Sequence, residues 1–330
     1  AWLPQNLVTQ TTAATSGNVF RISELSKGNA MLLNIDLAAQ IRLNVQAAFD
    51  EDFGTLTRNL DGWTGSRGAA LANYDLTAQL IPEHASAHAS VMTRQDMVLC
   101  GTQWFDECFR ELDVHCGIHW NLREGERAEA GQTLCEIKGS ARAMLGAERP
   151  ALNFLQTLCA TATITRRYVD AVSGTHAKIM DTRKTLPGLR IAQKYAVAVG
   201  GGHNQRVGLY DGVLIKENHI LAAGGIRPAL ERAFRIAPPK ASVQVEVENL
   251  EQLREALNAG AKLVLLDNFS LEQMREAVKL NAGRAELEAS GGIALDTVRA
   301  IAETGVDRIS IGGLTKNVQA VDLSMRFTPN

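Results

Sequence analysis

The 330-residue sequence has no run approaching the roughly 18 consecutive apolar residues of a membrane span. Nor does a basic patch followed by an apolar stretch open the chain, so a secretory leader is not expected and the cytoplasm is the expected location. Excess charge is missing as well: 34 Lys plus Arg against 36 Asp plus Glu leave a net charge of −2. That balance excludes a strongly basic nucleic-acid binder by bulk charge, while leaving room for a local cationic pocket. Cysteine is scarce. The five residues Cys100, Cys108, Cys116, Cys135 and Cys159 are odd in number and form no CxxC pair. They are expected as reduced packing residues rather than a zinc knuckle or a complete disulfide framework. Several catalytic signatures are also absent. Gly200-Gly201-Gly202 matches neither a Walker loop nor GxGxxG, no GxSxG occurs, and His203 and His219 lack the spacing of a metal-binding pair. Each lone histidine is expected as a hydrogen-bonded structural residue, and the glycine run as a closely approached or flexible backbone.

What is present is the mix of a globular protein, 45% hydrophobic and 21% charged. The length corresponds to about two domains. Residues 1–33 are polar, lack periodicity and are expected as a flexible N-terminal extension. From Ile35 to Phe49 apolar residues recur at helical intervals. Between Ala85 and Gly139 the runs ASVMT, VHCGIHW and TLCEI read as short strands, with Gly125 and Gly131 at turns. A lipoyl or biotinyl carrier is discounted because neither turn carries a lysine. A long helical pattern follows Glu148-Arg149, with Pro150 expected in its first turn and the helix bridging the two halves. The expected division is 34–150 for an N-terminal domain, 151–315 for a catalytic domain, and 316–330 for a tail that packs back on the N-terminal domain.

After Gly174 the runs AKIMDT, GVLIKE, VQVEV, KLVLLD, LEAS and RISIGG alternate with helical segments, the pattern of a parallel sheet. Polar residues cluster at the carboxyl ends of these runs: Asp181 to Lys184, Lys216-Glu217, Glu246, Asp267, Ser290-Gly291-Gly292 and Gly312-Gly313. That rim is where α/β barrels do chemistry, and phosphate usually sits after the last strands, which favours a barrel over a doubly wound sheet. The glycine pairs let backbone N–H groups approach a phosphate.

Arg183, Lys184, Arg206 and Lys216 together predict a polyanion pocket. Lys216 also has the position of a Schiff-base lysine, but its electropositive surroundings favour anion binding. Glu246 and Asp267 end consecutive strands, so they are expected side by side, as ligands for ribose hydroxyls or Mg²⁺ or as stabilisers of a developing cation. The alternative is that they cap helices, although Glu248 and Asn249 are available to cap the helix after VQVEV.

Taken in order, ERPALNFLQTL, DTRKTLPGLRIAQKYAVAVGGG, LIKENHI, LLDNF, SGG and TGVDRISIGGLTK resemble the quinolinate phosphoribosyltransferase family, also called nicotinate-nucleotide pyrophosphorylase (carboxylating), in its bacterial type. The resemblance runs from about Asp36 to Phe327. It implies an N-terminal α+β sandwich followed by an incomplete TIM-like α/β barrel, and a homodimer with shared active sites. Arg149 is implied to reach the partner's quinolinate. Thr182, Arg183, Lys184, Arg206 and Lys216 are implied to bind carboxylates and phosphates. Glu246 and Asp267 would flank the ribose, while Ser290, Gly291, Gly292, Gly312 and Gly313 would cradle the 5-phosphate. The implied catalytic groups are Glu246, Asp267 and Lys184, and Mg²⁺ would be carried on the pyrophosphate.

The implied reaction joins quinolinate to phosphoribosyl pyrophosphate, giving nicotinate mononucleotide, pyrophosphate and CO₂. Two departures stand out. Gln205 replaces the histidine of the family's Asn-His-Arg, with His203 two positions away, and Gln244 replaces a glutamate two positions before Glu246. A catalytically silent binding barrel and a phosphoribosyltransferase for another pyridine acid are the alternative readings.

Overall fold

The computed structural model describes residues 37–53 and 75–328; the extension expected over residues 1–33 lies outside the described residues. Helix α1 (Leu37–Phe53) buries Leu37, Ile41, Val45 and Phe49, four residues apart, which is the stripe a packed helix needs. A four-stranded antiparallel sheet follows, in the order β12-β1-β5-β3. Its strands are β1 (Ser86–Thr93), β3 (Gly117–Trp120), β5 (Thr133–Ser140) and β12 (Leu323–Thr328). Thus the end of the described chain adds a strand to the N-terminal sheet. A ribbon of β2 (Met97–Val98) and β4 (Arg127–Ala128) sits beside it. Gly125 and Gly131 both take φ +87°, the left-handed turn geometry that glycine adopts freely. Helix α2 (Thr102–Leu112) turns Trp104, Phe105, Cys108, Phe109 and Leu112 into the core. Glu124 closes its N-terminus, accepting from the Gly101 and Thr102 N–H groups at 2.6 and 3.3 Å.

Helix α3 (Ala141–Ala171) corrects one expectation: Pro150 is buried in its interior rather than seated in its first turn. The stretch before it supplies strong helix formers whose buried members, Ala141, Ala143, Met144 and Ala147, pack a full face. That burial outweighs the one N–H that an interior proline removes. The helix bridges both halves, with Leu152, Leu155 and Leu158 in the first hydrophobic core and Tyr168 in the second.

The second half carries β6 (Lys178–Met180), β7 (Gly212–Ile215), β8 (Ser242–Val247), β9 (Leu263–Asp267), β10 (Glu286–Ser290) and β11 (Arg308–Ser310). Helices intervene: α4 (Arg190–Val199), α5 (Glu217–Ala223), α6 (Ile226–Ile236), α7 (Leu250–Asn258), α8 (Leu271–Asn281), α9 (Val298–Ala302) and the short α10 (Gly313–Lys316). All strand pairs are parallel, in the order β6-β11-β10-β9-β8-β7. The first strand therefore lies beside the last, as in a barrel, and the seam falls between β6 and β7. His203 enters that seam beside β6, its N–H donating to the Ile179 carbonyl at 2.8 Å and its carbonyl accepting from the Asp181 N–H at 3.0 Å.

Alternation along each strand sorts the residues. Val245, Val247, Val264, Leu266, Leu287, Ala289 and Ile309 face the helices and form the second core. Gln244, Glu246, Glu288, Ser290 and Ser310 occupy the opposite parity, so the barrel interior is polar. Asn249 caps α7 by accepting from the Gln252 N–H at 3.0 Å, and Ser270 caps α8. Neither Glu246 nor Asp267 serves as a cap. No helix among the described residues is long and apolar enough to cross a membrane.

Candidate active site

A cavity of about 350 Å³ opens inside the barrel toward the carboxyl ends of its strands. Thr182, Arg183, Lys184, Arg206, Lys216, Glu246 and Ser290 all line it, so the dispersed cations of the sequence converge on one space. Asp267 is not part of the cavity wall but stands at the strand end above it. Its register partner is Ser290, whereas Glu246 is paired with Leu265 two residues earlier on β9. The two carboxylates thus face the same interior in successive layers. Side-by-side placement is corrected to a stagger, because parallel strands in a closing sheet are offset along its axis.

Lys216 Nζ donates to Glu246 Oε2 at 2.8 Å, with Glu246 only 11% exposed in its side chain. His219 has a structural role: its Nδ1 accepts from the Lys216 N–H at 3.0 Å and so closes the start of α5. Arg206 Nη1 donates to the Gly212 carbonyl at 2.8 Å, tying the seam segment to β7. Burial, and then the neighbouring Arg183 charge, pull the Arg206 pKa below its usual value. An anion bound beside the two guanidinium groups would relieve that repulsion. Arg183 has a buried Nε with no hydrogen-bond partner, a donor left over for such an anion.

A buried frame fixes these groups. Asp181, fully buried, accepts from Lys194 Nζ at 2.6 Å, from Asn204 Nδ2 at 2.7 Å and from the Gln205 N–H at 2.7 Å. Lys194 also donates to the Gln205 carbonyl at 2.9 Å. Burial pushes the Asp181 carboxyl up and the Lys194 amine down, while the mutual attraction of the pair opposes both shifts. The pair locks residues 204–206 into the seam. The 182–184 loop rests on Gly312, where an added Cβ would lie 3.1 Å from Lys184 Cδ and 3.6 Å from Thr182 Oγ1. Gly313 begins α10 immediately behind. Gly291, at φ +106°, leaves no room for a side chain: a Cβ there would lie 2.1 Å from Asn268 Oδ1. Gly292 also has positive φ and faces open space.

Three polar residues that the motifs do not single out as ligands complete the interior. Glu288 is 1% exposed, and its Oε2 accepts from Gln244 Nε2 at 3.1 Å and from Gln205 Nε2. The two departures noted in the sequence therefore meet on one carboxylate oxygen. The signal was parity: Gln244 and Glu288 are polar at inward positions of otherwise apolar strands. His203 does not take the place of Gln205, because Gln205 lines the cavity while the charged neighbours of His203 are Lys178 and Arg308. The Gly200–Gly202 run serves packing, since a Cβ at Gly200 would lie 2.6 Å from the Ala162 carbonyl. Arg149 lies outside the cavity, exposed on α3, with Asp52 and Glu148 as its charged neighbours.

Comparison with known proteins decides what this arrangement belongs to. A family model described as the quinolinate phosphoribosyl transferase C-terminal domain matches residues 161–326, and the corresponding N-terminal domain matches residues 75–159. The chain belongs to the quinolinate phosphoribosyltransferase family. It is 41% identical over 254 residues to the probable nicotinate-nucleotide pyrophosphorylase (carboxylating) of Bacillus subtilis, covering 77% of this chain and 88% of that protein. The nicotinate-nucleotide pyrophosphorylase (carboxylating) of Mycobacterium leprae is 42% identical, with 76% and 90% covered. Among solved structures, the nicotinate-nucleotide pyrophosphorylase of Francisella tularensis superposes with a TM-score of 0.80 at 40% identity, covering 94% of this chain and 100% of that one. In this quinolinate phosphoribosyltransferase family member the junction of the two family domains falls within α3. The cavity residues lie in the C-terminal domain and Arg149 in the N-terminal one.

Proposed function

We infer that the protein transfers the phosphoribosyl group of phosphoribosyl pyrophosphate to quinolinate with decarboxylation, forming nicotinate mononucleotide, pyrophosphate and CO₂. The carrying observation is the convergence of Arg183, Lys184, Arg206 and Lys216 on one cavity that also holds Glu246, in a chain of this family. The bond from the ribose anomeric carbon to pyrophosphate breaks and a bond from that carbon to the pyridine nitrogen forms. Glu246 and Asp267 stabilise the electron-poor carbon between these events, while Lys184 and the arginines hold the anionic groups. The alkylated ring nitrogen is then cationic and accepts the electron pair released when the 2-carboxylate leaves as CO₂, after which the ring carbon takes a proton. Positioning and electrostatics carry the reaction, with no covalent intermediate on the protein. Ser290 to Gly292 and Gly312-Gly313 form the 5-phosphate cradle.

Mg²⁺ is the expected cofactor. No group of three His, Cys, Asp or Glu side chains among the described residues could hold a metal alone. A carboxylate or two beside substrate phosphates is nonetheless a donor set Mg²⁺ accepts. Asp267 and Glu246 would contribute to holding it, and its chemistry is to neutralise the departing pyrophosphate. The working unit is proposed to be a homodimer in which Arg149 completes the partner's site; its support is an exposed arginine, remote from its own cavity, at the position the family resemblance marks. The reaction is placed in the cytoplasm, a location supported by five free thiols, four of them buried. Incubation with quinolinate, phosphoribosyl pyrophosphate and Mg²⁺ should yield nicotinate mononucleotide and CO₂ in equal amounts. Absence of both products removes this reading.

A further inference from the structure

We propose that Thr315 is a positioning residue for Lys184, fastening its loop so that the Lys184 amine and the Gly312-Gly313 cradle meet phosphoribosyl pyrophosphate as one unit. The proposal rests on the reaction inferred above. Residues 182–189, between β6 and α4, form neither helix nor strand, so the place of Lys184 depends on what its loop is tied to. Within the loop, the Lys184 N–H donates to Thr182 Oγ1 at 3.1 Å and the Thr185 N–H to the Arg183 carbonyl at 3.0 Å. These local bonds shape the loop without fixing it to the barrel. Two fully buried side chains, Thr315 and Gln193, make that connection. Thr315 Oγ1 donates to the Lys184 carbonyl at 2.7 Å, and Gln193 Oε1 accepts from the Leu186 N–H at 2.8 Å. Gln193 Nε2 in turn donates to the Thr315 carbonyl at 2.8 Å, which closes the ring.

The ring joins the lysine loop, α4 and α10 beside Gly312. A Cβ added at Gly312 would lie 3.1 Å from Lys184 Cδ and 3.9 Å from Lys184 Nζ. The lysine stem therefore crosses directly over the cradle, and its amine ends beside the same glycine. Lys184 is itself exposed, so burial does not hold it. A compact charge on a flexible stem keeps a fixed place only when its backbone is held. Thr315 supplies that hold from a site that water does not reach, through a hydroxyl that valine lacks at nearly the same volume. Without the hydroxyl, the exposed Lys184 residue can turn its carbonyl to water, so the loss falls on the geometry of the amine more than on folding. Misplacement of a charged group by roughly an ångström is enough to weaken its grip on a phosphate.

The test is binding of phosphoribosyl pyrophosphate with Mg²⁺ by titration calorimetry, beside binding of quinolinate, for Thr315→Val, Thr315→Ser, Lys184→Ala and the double variant Thr315→Val/Lys184→Ala. Thr315→Val should weaken phosphoribosyl pyrophosphate binding by roughly tenfold and leave quinolinate binding within about twofold of the parent. Thr315→Ser keeps the donor and should recover most of the loss. In the Lys184→Ala background, Thr315→Val should add less than about twofold, because a residue that acts through Lys184 then has nothing to place. An unaltered Kd in Thr315→Val overturns the proposal, as does Thr315→Ser binding as poorly as Thr315→Val. Equal weakening of quinolinate, or the full loss reappearing in the double variant, also overturns it, since either marks a general role in folding. Should Thr315→Val fail to fold, Gln193→Met, which breaks the ring at two bonds, is compared with and without Lys184→Ala and judged by the same outcomes. A parent that shows the expected pattern but makes no product sinks the reaction and keeps the positioning role. A parent that makes product while the two losses add keeps the reaction and sinks the positioning role, and one that does not bind phosphoribosyl pyrophosphate sinks both.

Discussion

Individual residues differ sharply in how far the sequence reveals them. Arg183, Lys184 and Arg206 are legible because cations gathered at strand ends or beside a glycine run have few other uses. The Asp181–Lys194 pair is not: Asp181 reads as part of the rim and Lys194 as one charge in a helix, and only burial turns them into the frame of the seam. Removing one member of a buried pair strands the other. Lys194→Met is therefore expected to cost about 3 kcal/mol or more in denaturant unfolding, and to lower turnover by releasing Gln205 and Arg206. Asp106 gives a pH-dependent case. Burial raises its pKa from 3.8 to about 6, although its carboxylate accepts from Trp120 Nε1 at 2.9 Å. A folded-state pKa above the unfolded value favours the folded protein below pH 3.8 and loses that benefit as pH rises through about 6. Asp106→Asn keeps an acceptor for Trp120 without the charge. It should raise stability at pH 8 by on the order of 2 kcal/mol, a gain that disappears by pH 4. Thermal unfolding at the two pH values checks both the sign and the window.

At the scale of elements, the six barrel strands are legible because each short β-rich run ends in polar residues and is followed by a helical pattern. The offset that sets Glu246 and Asp267 in successive layers is not, since it arises from the tilt of the closing sheet and not from either strand. The start of α3 is also hidden, because proline normally marks a first turn and only the buried face before Pro150 overrides it. At the rim, Gly291→Ala should disrupt the turn that meets Asn268, raising KM for phosphoribosyl pyrophosphate several-fold in kinetic assays. Strand β12 pairs with β1 along Leu323–Thr328 and packs Leu323 and Met325 against the first core. Deleting residues 323–330 would expose β1 as an edge. The expected outcome is a stability loss of about 2 kcal/mol or more with aggregation visible by size-exclusion chromatography.

For the whole molecule, a net charge of −2 conceals a cavity where four cations converge, which is why bulk composition argues against a strongly basic nucleic-acid binder but says nothing of a small anionic substrate. Under the proposed dimer, the exposed Arg149 would be given to a neighbour's site. Mixed dimers of Arg149→Ala and Lys184→Ala chains should regain part of the activity that each variant lacks alone, because one of the two sites then has both groups. Verified mixed dimers without recovery would confine each site to one chain. The most direct measurement is kcat/KM for quinolinate beside kcat/KM for nicotinate, each with phosphoribosyl pyrophosphate and Mg²⁺. A cavity with four cations should favour the diacid by roughly a hundredfold or more. Equal use of the two acids, or a preference for nicotinate, would contradict the account.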